Sequence, residues 1–258
     1  MINLNYEPTS VIMPVLNQLE YTKKCIESIQ RNTSCEYEFI IIDNNSTDGT
    51  KEYLEELKNI LPNLVVITNE ENIGVAPAWN AGINIAKYNY LCIINNDIEI
   101  LFLNWLENMQ LLLKKNPNVY WTSPMTCYND ARKPEFKKNH YEQLLYDHPY
   151  GRDYIVACCF MCPKQAFNEL GLFDEKFEVK FYEDLDYLAR ILNAGKQIKM
   201  CKQALVYHAV GTTSRITAGG HGNEAYFNSK HGNSKYNLDF FAPHIKLQHL
   251  KRVNPKGK

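Results

Sequence analysis

The chain has 258 residues and a formal net charge of -1 at pH 7, with 45% of its residues apolar and 22% charged. That length can bury a sizeable core as one large α/β domain or two small ones. The balanced composition excludes an intrinsically disordered chain and a strongly basic nucleic-acid binder, so no nucleic-acid partner is expected. No run approaches the roughly 18 apolar residues of a membrane-spanning helix. The opening MINLNYEPTS lacks the basic and apolar blocks of a signal peptide, which makes a cytoplasmic location the expectation.

In chain order, residues 10–14 (SVIMP) read as a strand, and 19–31 as a helix with Leu19, Cys25, Ile26 and Ile29 near one face. The β-branched run 39–42 ends in Asp43 and suits a strand covered on both sides. NNSTDGT follows, dense in turn and capping residues, and then a helix over 50–60. Residues 64–67 are a third predicted strand, ENIGVAP a loop, 76–88 a helix, and 90–94 a fourth strand running into Asn95-Asn96-Asp97. Beyond it, helices are predicted over 103–115, 164–170 and 183–193, and strands over 119–123, 154–161 and 205–208. Residues 127–150 read as a long polar and aromatic loop, a type of segment that often binds ligands. The tail HIKLQHLKRVNPKGK carries five Lys or Arg and no acid. It reads either as a solvated tail or as a surface for peripheral contact with an anionic membrane or an acidic acceptor.

Strands alternating with helices over short links predict a parallel α/β sheet, whose ligands bind beyond the carboxyl ends of the strands. Polar clusters follow three of the first four predicted strands: Asn17-Gln18, residues 43–48 and residues 95–99. There are 8 cysteines, and Cys158-Cys159-x-x-Cys162 invites a zinc reading. A second ligand pair at matching spacing is missing and the flanks are apolar, so buried structural thiols are expected.

Asn95-Asn96-Asp97-Ile98-Glu99 ends a predicted buried strand, where a carboxylate can face a ligand. Asp97 first and Glu99 second suit a hard cation such as Mn²⁺ or Mg²⁺, although acids at strand ends also serve as caps. In Phe181-Tyr182-Glu183-Asp184-Leu185-Asp186 three acids open a helix, where the macrodipole favours them. Their mutual repulsion also raises at least one pKa, as a general base requires, so capping and catalysis both stand open here. His208 follows a predicted strand and is either structural or a completing metal ligand.

Taken together, SVIMPVLNQLEYTKKCIESI, IIIDNNSTDGT, NEENIGVAPAWNAGI, YLCIINNDIEI, FNELGLFDEKF, FYEDLDYLARI and ALVYHAVGTTS resemble glycosyltransferase family 2, the large inverting GT-A group, in the family's own order over about residues 9–215. The resemblance implies a GT-A fold, with a Rossmann-like, mostly parallel central sheet flanked by helices. Residues 1–215 would form the catalytic domain, 1–102 binding the nucleotide-sugar and 103–215 the acceptor, with 216–258 as a C-terminal extension or lid. It implies metal-assisted transfer of a sugar, with inversion, from a UDP- or dTDP-linked donor to a glycan, lipid-linked or protein acceptor, at the inner membrane face for a lipid-linked one. Pro14, Val15 and Asn17 would line the nucleoside pocket, and Asp43 would bind the base. Asn72, Gly74 and Asn80 would approach the nucleotide. Asn95-Asn96-Asp97 would stand for the family's D-x-D, with Asn95 and Asn96 on the donor nucleotide, Asp97 on Mn²⁺ or Mg²⁺, and Glu99 or His208 as further ligands. Asp184, beside Glu183, would be the general base, and residues 171–174 the turn that positions the acceptor half.

Asn95 departs from the usual first Asp, as in the rhamnosyltransferase-like branch, and leaves the site one negative charge short. Asn17-Gln18 stands where many members carry a carboxylate. After Ser214 nothing matches. The glycines there suggest a mobile lid from which His221 and Lys230 would reach a diphosphate, or else a linker. Tyr128, Phe136, Tyr141, Tyr146, Tyr150, Tyr154 and Tyr182 read either as stacking platforms for acceptor sugars or as local packing. Two other functions fit less well: a nucleotidyltransferase, whose Gly-rich basic loop is missing, and a non-catalytic binding module.

Overall fold

The computed structural model describes residues 6–127, 157–209 and 222–237. The aromatic positions 128–154, His221 and the basic tail lie outside these residues. In chain order the elements are β1 (Thr9–Val15), α1 (Leu19–Asn32), β2 (Tyr37–Asp43), α2 (Thr50–Lys58), β3 (Leu64–Thr68), α3 (Val75–Ile85), β4 (Tyr90–Ile94), β5 (Ile98–Ile100) and α4 (Trp105–Lys115). They continue as β6 (Val119–Cys127), β7 (Cys159–Pro163), α5 (Lys164–Leu170), α6 (Glu183–Asn193), β8 (Gln197–His208) and α7 (Asn223–His231).

Among the described residues the strands form one sheet in the order β3-β2-β1-β4-β7-β6-β8-β5. β3, β2, β1 and β4 are mutually parallel. Beyond β4 the sheet is mixed: β7 runs antiparallel to β4, β6 pairs parallel with β8, and β5 closes the edge antiparallel to β8. Alternate residues of each central strand feed two separate apolar layers. Val11, Met13, Phe39, Ile41, Cys92 and Ile94 face the side covered by α1, α2 and α4. Ile12, Ile40, Ile42, Leu91 and Ile93 face the side of α3, α5 and α6. Strands buried on both faces explain the unbroken β-branched runs of the sequence.

The expected elements form with four differences. α3 stops at Ile85, because Ala86 is already extended, rather than continuing to residue 88. In place of the strand expected over 154–161, the described chain has β7 over Cys159–Pro163, where its pairing with β4 sets the register. β8 is 12 residues long, its first half only partly buried and so without a strand's apolar signature. β5 and α7 were not expected as elements. α7 lies in the stretch read as a lid or extension, yet its Phe227 is fully buried in the same apolar layer as Tyr187 and Leu188 of α6. The cysteines of the 158–162 cluster are buried and free, and burial raises the thiols of Cys159 and Cys162 well above their ordinary pKa.

α3 sits close to the sheet because Gly82 offers no side chain there. A Cβ at this position would overlap Ile12 Cγ2 and lie 3.0 Å from Ile42 Cδ1. Cγ2 is fixed directly to the branched Cβ of a fully buried residue and has nowhere to swing. Gly82→Ala should therefore destabilise the protein by about 1–3 kcal/mol in urea unfolding, although alanine alone would favour the helix by about 1 kcal/mol.

Candidate active site

The strand order reverses between β1 and β4, since β2 and β3 lie to one side of β1 and β4 to the other. Pairing of β1 with β4 ends at Ile12–Ile93, whereas β1 stays paired with β2 to Val15–Asp43. Beyond that point the ladder between the two strands ends, and the carboxyl ends at such a reversal of strand order are the usual ligand position in these sheets. Pro14 is accommodated there, partly exposed, past the last β4 partner, where the absence of an N–H breaks no ladder on that side. Val15 is buried, and its carbonyl accepts from the Asn44 amide.

Asn17 and Gln18 adopt left-handed backbone conformations, φ 56° and 67°, which turn the chain sharply from β1 into α1. The Asn17 amide N–H donates to Ser46 Oγ at 2.7 Å, and its Oδ1 accepts from the Thr47 N–H at 2.7 Å. Its side chain thus staples the loop after β1 to the loop after β2. Asp43 ends β2 fully buried. Oδ1 accepts from the Ser46 N–H at 3.0 Å, and Oδ2 has no hydrogen-bond donor. An orphaned buried acceptor of this kind is costly unless something supplies a donor.

Asn72 is exposed and caps the Gly74 N–H at 3.0 Å. Gly74 was expected to let a nucleotide approach the backbone, but the close approach here is made by Val179. A Cβ on Gly74 would lie 3.2 Å from Val179 Cα, and the glycine's φ is +88°. Asn80, also expected near the nucleotide, is buried, with Oδ1 accepting from the Phe173 N–H and Nδ2 donating to Phe173 O and Glu175 Oε1. It fastens the 171–175 turn to α3. Asn96 is likewise a brace, its amide donating to Asn17 O at 3.1 Å and Thr22 Oγ1 at 3.0 Å. Asn95 is partly exposed, and its N–H donates to Cys158 O.

Asp97, 8% exposed, faces His208 with Oδ1 3.3 Å from Nε2. β5 and β8 create this meeting by pairing Ile98 with His208, while the Ala209 N–H donates to Asp97 O. Burial disfavours a charged imidazole, but Cys158 and Asp97 beside it outweigh that and hold the His208 pKa well above its ordinary value. The Asp97 carboxylate is a donor of the kind that Mn²⁺ and Mg²⁺ favour, ions that leave positions open for phosphate oxygens, and the His208 imidazole beside it is a softer one. Glu99 is not brought into the set: it opposes Tyr207, one step along the ladder from His208. Among the described residues no group of three His, Cys, Asp or Glu could hold a metal.

Glu183 and Asp184 open α6. Burial pushes Asp184 up to about 6, partly offset by the Leu185 N–H that donates to it at 2.8 Å. Burial and then the charge of Asp184 push Glu183 well above the usual carboxylate range, and Glu183 Oε2 is buried with no hydrogen-bond partner. The pair is tied to the donor-side loops through backbone: the Val75 N–H donates to Val179 O at 2.9 Å, and Gly74 O accepts from Asn44 Nδ2 at 3.2 Å. Lys230, expected to reach a diphosphate, is spent on Asp174 at 2.7 Å and Asp186 at 2.6 Å. Sequence reading missed Cys158 beside His208 and Asn223 of α7. A polar residue after a glycine-rich stretch is the one local signal that could have marked a helix start at Asn223, and nothing local marks its partner.

Residues 10–171 match the sequence model described as Glycosyl transferase family 2, and the chain belongs to that family. It is similar to the glycosyltransferase GlyA of Streptococcus pneumoniae, 24% identical over 223 residues, which are 86% of this chain and 27% of GlyA. The chain spans well under two thirds of the length of the curated relatives it matches. Its fold is that of GT-A enzymes. The mannosyltransferase PcManGT from Pyrobaculum calidifontis, in complex with GDP-Man and Mn²⁺, superposes with a TM-score of 0.65 at 19% identity, covering 99% of this chain and 66% of that one. The TarS fragment 1–349 of S. aureus in complex with UDP gives 0.60 at 20% identity, covering 78% and 60%.

The raised pKa of Asp184 has a thermodynamic consequence. The folded value of about 6 lies above the ordinary 3.8, so this group's stabilising contribution is full below pH 4 and is lost as pH rises through 6. Asp184→Asn keeps the neutral form at all pH. Urea unfolding should show the variant more stable than the parent at pH 7, by up to about 3 kcal/mol, with the difference vanishing toward pH 4.

Proposed function

We propose that the chain is a metal-dependent inverting glycosyltransferase that moves a sugar from a nucleotide-sugar, UDP- or dTDP-linked, to a hydroxyl of a glycan, lipid-linked or protein acceptor. The observation that carries this reading is the Asp97–His208 pair, 3.3 Å apart at the carboxyl end of β4, past the end of its ladder with β1. The nucleotide-sugar, UDP and Mn²⁺ held by structural neighbours support the donor class and the cation.

In this mechanism the unpartnered Asp43 Oδ2 accepts an N–H from the nucleoside base, and Pro14 and Val15 form the adjoining wall. Asn17, Asn80 and Asn96 act one layer back by holding the loops. Asn72 and Asn95 border the nucleotide with exposed amide groups, and Gly74 acts one layer back against Val179. Asp97 and His208 would hold Mn²⁺ or Mg²⁺, which would supply positive charge to the departing nucleoside diphosphate. Asp184 takes the proton of the acceptor hydroxyl while that oxygen bonds to the anomeric carbon from the face opposite the breaking bond to the diphosphate. Glu183 lies beside it, buried and held above the usual carboxylate range by burial and then by the charge of Asp184. Residues 1–215 together with α7 then constitute the catalytic domain, and the basic tail is proposed to meet anionic membrane or acceptor.

Nucleotide-sugar turnover with Mn²⁺, followed by release of the nucleoside diphosphate, tests the reading. Asp97→Ala and EDTA should each remove turnover. Asp184→Asn should lower kcat by about 10²–10⁴-fold with donor affinity nearly unchanged, because it removes only proton acceptance. Near-normal turnover in Asp184→Asn would overturn the base assignment, and metal-independent turnover would overturn the role of Asp97. For the parent, kcat should rise with pH through about 6 and then level off, since Asp184 must be ionised to accept the proton.

A further inference from the structure

The segment leading into Glu183–Asp184 is conformationally strained. Val179, Phe181 and Tyr182 have φ of 54°, 76° and 75°, in the left-handed region that side chains other than glycine avoid. For Val179, a β-branched residue, the conformation is especially unfavourable, and it persists only where surrounding structure imposes it. The segment cannot relax toward α3, because the Val179 backbone already lies against Gly74 and accepts from the Val75 N–H.

The structure around it is supplied from far along the chain. Asn223, 2% exposed and first residue of α7, accepts the Glu178 N–H on Oδ1 at 2.9 Å. Its Nδ2 donates to the carbonyls of Glu178, Lys180 and Phe181, each at 3.0 Å. Two amide hydrogens serving three carbonyls make one bond shared, and every polar atom of the side chain is directed at residues 178–181. No side-chain cap bond reaches the helix's own amides. α7 is anchored independently of this clamp. Phe227 is fully buried, Tyr226 Oη donates to Asp174 at 2.8 Å, and His231 Nε2 lies 2.8 Å from Asp186 Oδ1, which Lys230 also holds. Asp186 follows Asp184 by two residues on α6. α7 therefore grips the chain on both sides of the carboxylate pair.

We infer that Asn223 is a positioning residue for the proposed base: its amide holds residues 178–181 in the left-handed run that presents Glu183 and Asp184 beside the donor-side loops. The inference rests on the reading of Asp184 as the base. It makes α7 a working part of the site, with Asn223 touching no substrate.

The test uses the full chain with Asn223→Ala, Asn223→Asp and Asn223→Ala/Val179→Gly, measuring kcat, donor KM, and hydrogen exchange of the amides from 178 to 185. Asn223→Ala should lower kcat at least about tenfold with donor KM changed less than about threefold. Asn223→Asp should be worse than Ala, because a carboxylate cannot donate to the three carbonyls and repels them. Were Asn223 only an end residue of α7, aspartate would serve as well or better. Val179→Gly removes the penalty of positive φ and should restore at least about threefold of the lost kcat to Asn223→Ala, including where the single variant folds poorly. Exchange at 178–185 should rise at least about tenfold in Asn223→Ala, with β1–β4 unchanged. Asn223→Asp within about twofold of the parent in kcat, or no gain from Val179→Gly, overturns the inference. Failure of the parent to turn over any nucleotide-sugar would fall on the proposed function; in that case exchange still decides the clamp, and unchanged exchange in Asn223→Ala refutes it.

Discussion

Everything in the candidate site follows from β1 and β4 parting after Ile12–Ile93. Past that pair the ladder between the two strands ends, and the loops that follow are joined by side chains instead, Asn96 Nδ2 donating to Asn17 O at 3.1 Å. These loops leave the carboxyl ends of strands whose side chains are fully committed to two apolar layers. Those layers make the strand ends rigid, so polar groups placed one residue beyond them stay where they are put. Gly82 contributes from the far side by letting α3 approach Ile12 and Ile42 closely.

A second regularity is the use of asparagine as mortar. Asn17, Asn44, Asn80, Asn96 and Asn223 each bridge segments distant in sequence. A short amide is both donor and acceptor and carries no charge, so it can satisfy two loop backbones at once without the desolvation cost of an ion. Carboxylates are treated in the opposite way. Asp43 Oδ2 and Glu183 Oε2 are buried without donors, and Asp184 is held well above its ordinary pKa. These asparagine amides are satisfied, whereas Asp43 and Glu183 each keep one carboxylate oxygen without a donor, as do Glu38 and Glu107 away from the site.

The second half of the sheet matters for what it brings to the first. β8 is long and irregular, with register shifts in its pairing to β6, and its final residues pair with the short β5. That edge pairing delivers His208 to Asp97. α7 packs on α6 from the end of the described chain and completes the surroundings of the carboxylate pair. The contributions of these late elements come as single side chains on frames whose burial is partial.

Local sequence was sufficient for β1–β4, α1 and α6, because strands buried on both faces must be continuously apolar and helices with one buried face must repeat every three to four residues. It also marked Asp43, Asp97, Glu183, Asp184 and His208, since acids and imidazole at element ends are chemically conspicuous whatever they touch. It left β5, β8 and α7 obscure, because three residues, a half-exposed strand and a helix with only Asn223, Phe227 and His231 buried carry too little periodicity. Nor did it distinguish braces from ligand-facing groups. Asn80 and Asn96 looked like nucleotide contacts, and three-dimensional packing turned both inward. Hydrogen bonds between residues 79 and 93 positions apart depend on where whole elements come to rest, and no local pattern of side chains encodes that.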